Sequence, residues 1–292
     1  MALQYLRQIG DAIRSLNPGE VRETAEQPLS IGMYAPRWVS VLEDFLVPAG
    51  MSRAKRREVA GILHRIGGPG APAAFDIEIY EEGVPRPPHA IAFSPARLPE
   101  LVAAVLERHE SDFGLALARN FPVFRAAAAD KIIKNVSREN ALFSLATALP
   151  DIVPSVLSLP WAGAEFASDT AFLTVNQIRM AFLLGAASDR PIGYREQKAE
   201  IASIIAAAFG WRALARQLVG KVPFGGGLIP KAAIAYAGTY TVGASIERLY
   251  RVGYGFTREE RNLTYERALE RGRRVAGELA EGAGRLKQIP GR

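Results

Sequence analysis

The stretch "GKVPFGGGLIPKAAIAYAGTYTVGASI", Gly220 to Ile246, decides how this chain is read. Three consecutive glycines and a Pro-Lys pair are followed by fifteen residues without a charge, Ala232 to Ile246. A phosphate-cradling loop, a membrane segment and a helical hairpin compete for it. A P-loop needs a strand, then GxxxxGK with Ser or Thr next, then a helix, so that backbone N–H groups wrap the phosphates and a hydroxyl holds magnesium. Here Lys231 follows Pro230 and precedes Ala232, and the upstream segment reads as helix. The dinucleotide pattern GxGxxG fails in this loop too. A membrane-spanning helix needs about 20 mostly apolar residues. Leu228 to Ile246 supplies nineteen, but Lys231 stands near one end, and Tyr236, Thr239, Tyr240, Thr241 and Ser245 keep it only moderately apolar.

The hairpin fits best. Ala233, Ala237, Thr241 and Ser245 form an i, i+4 stripe of small side chains, and Gly238 and Gly243 thin the helix further. Small stripes let backbones approach closely. A glycine inside a helix costs about 1 kcal/mol relative to alanine, so two of them call for a compensating contact. The glycines of "PFGGGLI" then form a turn. The helix after them packs closely on a partner in the same chain or in a second subunit.

Working outward, 292 residues with 49% hydrophobic and 23% charged side chains describe a folded chain of one large or two modest domains. The absence of cysteine excludes disulfides, zinc thiolates and cysteine nucleophiles. Nearly all of the +6 net charge comes from residues 248–292, where eleven Lys/Arg face six glutamates. Such a tail suits an anionic membrane or nucleic acid, or is simply a solvated helix of mixed charge. The start, "MALQYLRQIGDAIRSLNPGE", lacks the pattern of a secretory signal. Leu6, Ile9, Ile13 and Leu16 instead repeat at helical spacing, for a helix docked on the core or lying in a membrane interface.

The fold class read from the sequence is mainly α, a multi-helix chain with a small two-stranded β element near 74–93. Residues 17–36 read as a Pro/Gly-punctuated connector. "SRAKRREVAGILHRI" (52–66) reads as a helix capped by Ser52, with cations in a first turn where the helix dipole disfavours them; that mismatch suggests an outside anionic partner. "AFDIEIYEEG" (74–83) alternates as a half-buried strand and "HAIAF" (89–93) is a second. "VPRPP" between them is too proline-rich for a tight hairpin. From about Phe113 the pattern is helical, with separate helices over 121–136 and 137–149, the latter capped by Ser137, and with prolines interrupting 150–160. Further helices follow over 163–190, 193–210 and 211–220, from Pro230 to about Tyr250, and from Arg258 to Ala280. The expected division is 1–140, a helical region with the β element; 141–255, a helical domain; and 256–292, a basic charged helix and tail.

Catalytic patterns are missing. The three histidines, His64, His89 and His109, lie in separate elements without ligand spacing, and G-x-S-x-G is absent. Glu165 and Asp169 share a helix face without the histidine that a di-iron site needs. No metal and no cofactor is implied. Asp169, Gln177 and Arg179 sit in an otherwise apolar helix and suggest a structural polar network. Arg212 and Arg216, one turn apart, lead toward Gly225, Gly226 and Gly227, and with Lys231 they outline a small anion site.

Three pieces read together resemble a known family: "DTAFLTVNQIRMAFLLGAA" (169–187), "FGWRALARQLVGKVPFGGGLIPKAAIAYAGTY" (209–240) and "VGASIERLY" (242–250). The motifs are Gln177, Arg179 and Met180; the turn Val222, Pro223, Gly225 and Gly227; and Thr239 with Gly243. They resemble an uncharacterised bacterial domain family typified by YcjF-type inner-membrane proteins, which also occurs appended to Era-like and dynamin-like GTPases. The resemblance covers about residues 150–250. It implies a helical domain, membrane association at the cytoplasmic face of the inner membrane (peripheral or partly inserted), company with a GTPase, and membrane segments near 141–164 and 228–246. It carries no catalytic residue. The resulting expectation is a non-enzymatic, membrane-associated interaction protein, possible homo-oligomers included. One alternative is a cytoplasmic anion or small-molecule binder, or enzyme, built on the glycine loop. The other, less favoured, is nucleic-acid binding through the basic tail.

Overall fold

The computed structural model describes residues 16–147, 169–207 and 228–287. The chain divides into two compact units: Gly19–Asp130 with Gly185–Pro191, and the described parts of Lys131–Leu184 and Ile192–Arg292, with the short 16–18 stretch. The protein is mainly α-helical, with a small parallel sheet in the first unit.

That unit contains α1 (Pro18–Glu26), β1 (Ile31–Tyr34), α2 (Val39–Leu46), α3 (Arg53–Val59), β2 (Leu63–Arg65), β3 (Ile77–Glu81), β4 (Ile91–Phe93) and, after a 3-10 turn at Pro95–Arg97, α4 (Leu98–Asn120). The sheet has four strands, not the two expected near 74–93, in the order β2-β1-β3-β4. All pairings are parallel: Ile31 lies opposite Leu63 on one side and Ile77 on the other, and Ile79 lies opposite Ile91. Parallel neighbours need a crossover rather than a tight turn, which is why a proline-rich segment can join β3 to β4. Ile77, Ile79, Ile91 and Phe93 are buried together with Ile31 and Met33 of β1, and α4 packs on β4. Leu42, Leu46, Val59, Leu101 and Val105 complete the helical side of this core. Gly32 lies under Phe75, where a Cβ would come within 2.6 Å of the ring.

Two charged devices fix the helices of this unit. Glu81, 1% exposed at the end of β3, accepts the Arg37 backbone N–H at 2.9 Å and pairs with the Arg37 guanidinium. Burial alone would raise the Glu81 carboxyl, but these hydrogen bonds and the arginine charge outweigh it and hold the group below its ordinary value. A carboxylate depressed in the folded state contributes stability that is complete above the unfolded value of about 4.3 and is lost as pH falls through the lower folded value. Acid unfolding followed by circular dichroism is therefore expected to show a shallower acid limb in Glu81→Gln than in the parent; an unchanged limb contradicts this role.

Two cations of the basic stretch of α3, Lys55 and Arg56, are satisfied internally, while Arg53 and Arg57 are exposed. Ser52 caps the helix by accepting Lys55 N–H at 3.2 Å. The Lys55 ammonium, on a residue only 8% exposed, donates to Glu58 at 2.9 Å and to Asn120 Oδ1 at 3.0 Å, with Asp189 at 3.4 Å. Arg119 and Arg125 also face Asp189, which holds a left-handed backbone at φ 55°. Arg56 folds back onto the carbonyls of Met51, Pro48 and Ala49. At Lys55 an ion cluster, and at Arg56 the loop carbonyls, offset the dipole mismatch.

α5 (Pro122–Ala146) is one continuous helix, not two. Ser137 does not cap a helix: its buried hydroxyl donates to the Ile133 carbonyl at 2.6 Å, inside the helix, the alternative role open to a helical serine. Residues of α5 from 131 onward belong to the second unit. With them stand α6 (Asp169–Ala187), which continues into the 185–191 turn of the first unit, a helix over 198–207 (α7), α8 (Leu228–Val252) and α9 (Arg258–Lys287).

α8 and α9 form a helical hairpin through the turn that follows α8; the hairpin turn expected at Gly225, Gly226 and Gly227, before α8, lies outside the described residues. Gly253, at φ 93°, ends α8 in the left-handed conformation that favours glycine. Thr257 and Glu260 start α9 with a reciprocal capping box: the Glu260 carboxylate accepts Thr257 N–H at 2.9 Å and the Thr257 hydroxyl accepts Glu260 N–H at 3.2 Å. The small-residue stripe of α8 is covered from within the chain. Ala233, Ala237 and Thr241 are at most 1% exposed, and Gly238 is buried. Ala237 packs with Tyr265 and Ala268 of α9; Ala232 and Tyr236 pack with Ala276 of α9 and with Ala141 and Leu145 of α5. A Cβ at Gly272 would stand 2.8 Å from the Ala233 carbonyl oxygen, so the α9 backbone rests directly on that of α8. A Cβ at Gly243 would meet Met180 of α6 and Ile133 of α5 at 2.8–2.9 Å. Ser245 accepts the Phe256 N–H at 3.0 Å and holds the turn. Among the described residues no helix is long and apolar enough to cross a membrane.

Candidate functional site

The polar residues of α6 join a network across three helices. The Thr239 hydroxyl oxygen of α8, 1% exposed, accepts from the Asn140 amide of α5 at 2.7 Å and from the Gln177 amide of α6 at 3.1 Å. Asn140 in turn accepts from the Asn176 amide at 2.8 Å. Arg179 donates to Asn176 Oδ1 at 3.0 Å and to Glu139 at 2.7 Å, and Asn176 also donates to Glu139. Burial pushes the Arg179 guanidinium down, and Glu139 works against that shift. Each amide donor thus has a named acceptor, as buried polar groups require. The network locks helix register. Asp169 begins α6, and its side chain lies outside the described residues.

The anion site outlined in the sequence falls mostly on residues that the structure does not describe: Arg212, Arg216, Gly225, Gly226 and Gly227 all lie outside the described residues. Lys231 is described, and its ammonium donates to Thr147 Oγ1 at 3.3 Å. Among the described residues no group of acidic residues and histidines is placed to hold a metal. His64 stands beside Phe75, His89 lies 3.4 Å from Glu78, and burial lowers the pKa of His109; the structure does not bring the three together.

The surface that stands out is the α8–α9 turn. Seven large hydrophobic side chains are exposed among the described residues, and three of them fall within residues 252–263: Val252 at 43%, Tyr254 at 60% and Leu263 at 48%. Arg251 lies beside them, paired with Glu247 at 2.8 Å, and Arg258 and Arg261 are exposed. Arg248 supports the turn from beneath: its guanidinium donates to Glu260 at 2.7 Å and lies over the rings of Tyr254 and Phe256 at 5.0 and 5.4 Å. Further along α9, Arg271 lies over Tyr240 at 5.4 Å. Sequence reasoning marked this region only as a basic tail. The interleaving of Val, Tyr and Leu with arginine from Arg251 to Leu263 was the available signal.

No family model, no curated protein and no solved structure matches the chain.

Proposed function

We propose that this protein is a non-enzymatic interaction module that docks on an anionic membrane surface through the α8–α9 turn, at the cytoplasmic face of the inner membrane. The observation that carries this reading is the exposed Val252, Tyr254 and Leu263 set among Arg251, Arg258 and Arg261 on a rigidly capped turn. Apolar side chains enter the acyl boundary of a bilayer while arginines meet its anionic headgroups. Docking of this kind is peripheral: the uncharged face of α8 is already taken by α5, α6 and α9. The resemblance of Gln177, Arg179, Met180, Thr239 and Gly243 to the YcjF-type family adds a GTPase as the protein partner that such a module would serve.

Vesicle flotation tests the docking. The protein is expected to float with phosphatidylcholine vesicles containing phosphatidylglycerol and not with phosphatidylcholine alone. Removing Arg258 and Arg261 is expected to weaken partition roughly 30-fold, at about 1 kcal/mol per basic residue near an anionic surface. Replacing Val252, Tyr254 and Leu263 with serine is expected to weaken it roughly tenfold for each side chain that becomes fully buried, at about 1.5 kcal/mol each. Binding that ignores vesicle charge, or survives both sets of changes, contradicts the proposal.

A further inference from the structure

A groove of about 690 Å³ runs between α7, α8 and the first turns of α9. That volume lies within the roughly 300–1,000 Å³ of small-molecule sites. Its walls are apolar, formed by Ile204, Ala206, Ala207, Val242 and Ile246. Three hydroxyls also line it, and each is engaged inside the protein. Ser203 donates to the Glu200 carbonyl at 2.8 Å, Thr241 donates to the Ala237 carbonyl at 2.8 Å, and Ser245 accepts Phe256 N–H at 3.0 Å. Apart from these hydroxyls, the wall contributed by α7 and α8 is apolar.

The rim is different. Arg258, Arg261 and Asn262 close one side of the groove. Arg258 and Arg261 sit three residues apart, on the same helical stripe as Tyr265, Ala268, Gly272 and Ala276, which α9 turns toward its neighbours. Along that stripe α9 thus changes from apolar and buried to cationic and exposed where it borders the groove. Among the described residues neither arginine is in an ion pair, whereas Arg248 and Arg251 nearby are paired with Glu260 and Glu247. An apolar trough bordered by two uncompensated guanidinium groups fits a ligand with a long apolar body and one anionic end. A carboxylate is the natural anion, because guanidinium presents a planar fork that matches it.

We infer that this groove binds a free long-chain fatty acid, with the alkyl chain along the accessible Ala206, Ala207 and Val242, backed by the buried Ile204 and Ile246, and the carboxylate between Arg258 and Arg261. This site goes beyond surface docking and does not require a bilayer. The test uses the full-length protein without vesicles and monomeric dodecanoate as probe, read by isothermal titration calorimetry, with dodecanol, acetate and inorganic phosphate as comparisons. Dodecanoate is expected to bind at least roughly tenfold more tightly than dodecanol, the margin of one charge-assisted pair, while acetate and phosphate bind far more weakly. Arg258→Ala with Arg261→Ala should erase the preference for the acid and leave dodecanol binding unchanged. Ser203→Trp, at an exposed wall position where folding is not at stake, should block both. The Val252, Tyr254 and Leu263 serine variant should keep full dodecanoate binding while losing vesicles, which separates this site from the docking turn. No binding of dodecanoate by folded protein, equal affinity for acid and alcohol, equal affinity for acetate, or binding only to anionic vesicles would each overturn the assignment.

Discussion

Thr239→Val is expected to destabilise the helical unit by about 2–4 kcal/mol although it changes almost no volume. The hydroxyl oxygen is the shared acceptor of two buried amides, Asn140 from α5 and Gln177 from α6. Valine keeps the shape and leaves both donors without that acceptor, and an unsatisfied buried donor costs about 1–3 kcal/mol. Asn140 retains a long bond, 3.4 Å, to the Leu173 carbonyl, which sets the lower end of the range. Urea denaturation measures the effect as a lower midpoint at unchanged slope. Thr239→Ser, which keeps the acceptor and loses a methyl, should cost less than valine. If serine is the worse of the two, packing rather than hydrogen bonding holds this position.

A second large effect is expected at Gly272. Leucine there would drive a side chain into a space where even a Cβ stands 2.8 Å from the Ala233 carbonyl oxygen and 3.2 Å from Ala233 Cα. Those neighbours are backbone and cannot rotate away, so α8 and α9 must separate along the seam that buries Ala233, Tyr236, Ala237, Ala268 and Ala276. Overpacking of a filled core costs about 1–3 kcal/mol, and losing registry along a whole interhelical seam puts Gly272→Leu at the upper end. The helical hairpin should loosen first, seen as faster amide hydrogen exchange in α9 than in α4 of the other unit.

The seam was legible because its signal is local: small residues four apart in an uncharged run. The polar network was half legible. Gln177 and Arg179 are conspicuous in an apolar helix, but Glu139 and Asn140 sit in "SRENALF", which reads as the start of a helix capped by Ser137 and gives no sign of buried partners until α6 and α8 are placed against it. The strands divided in the same way. β3 alternates strictly and declared itself. β1 runs Ile-Gly-Met-Tyr beside a Pro-rich connector, as an inner strand of a parallel sheet often does, without alternation. β2 has three residues and follows α3 so closely that it prolongs the helical pattern. Lys55 looked misplaced because its partner Asp189 lies far along the chain, beyond the reach of any local rule. The cationic rim was present in the sequence as Arg258 and Arg261 on the stripe of Tyr265 and Ala268, but an arginine pair at that spacing gains meaning only once α7 is known to leave a trough beside it.

Both functional proposals stand on the α8–α9 hairpin being locked by direct backbone contact, since that lock presents the docking turn and shapes the groove. The most direct measurement compares alanine substitutions at two glycines of the same helix. At Gly277 nothing lies within 4 Å of the place a Cβ would take, whereas at Gly272 the Ala233 backbone already stands there. Alanine in a helix interior is worth about 1 kcal/mol over glycine when space is free. Gly277→Ala should therefore raise the urea midpoint and Gly272→Ala should lower it. A Gly272→Ala protein as stable as Gly277→Ala, or more so, would show that the two helices do not meet there.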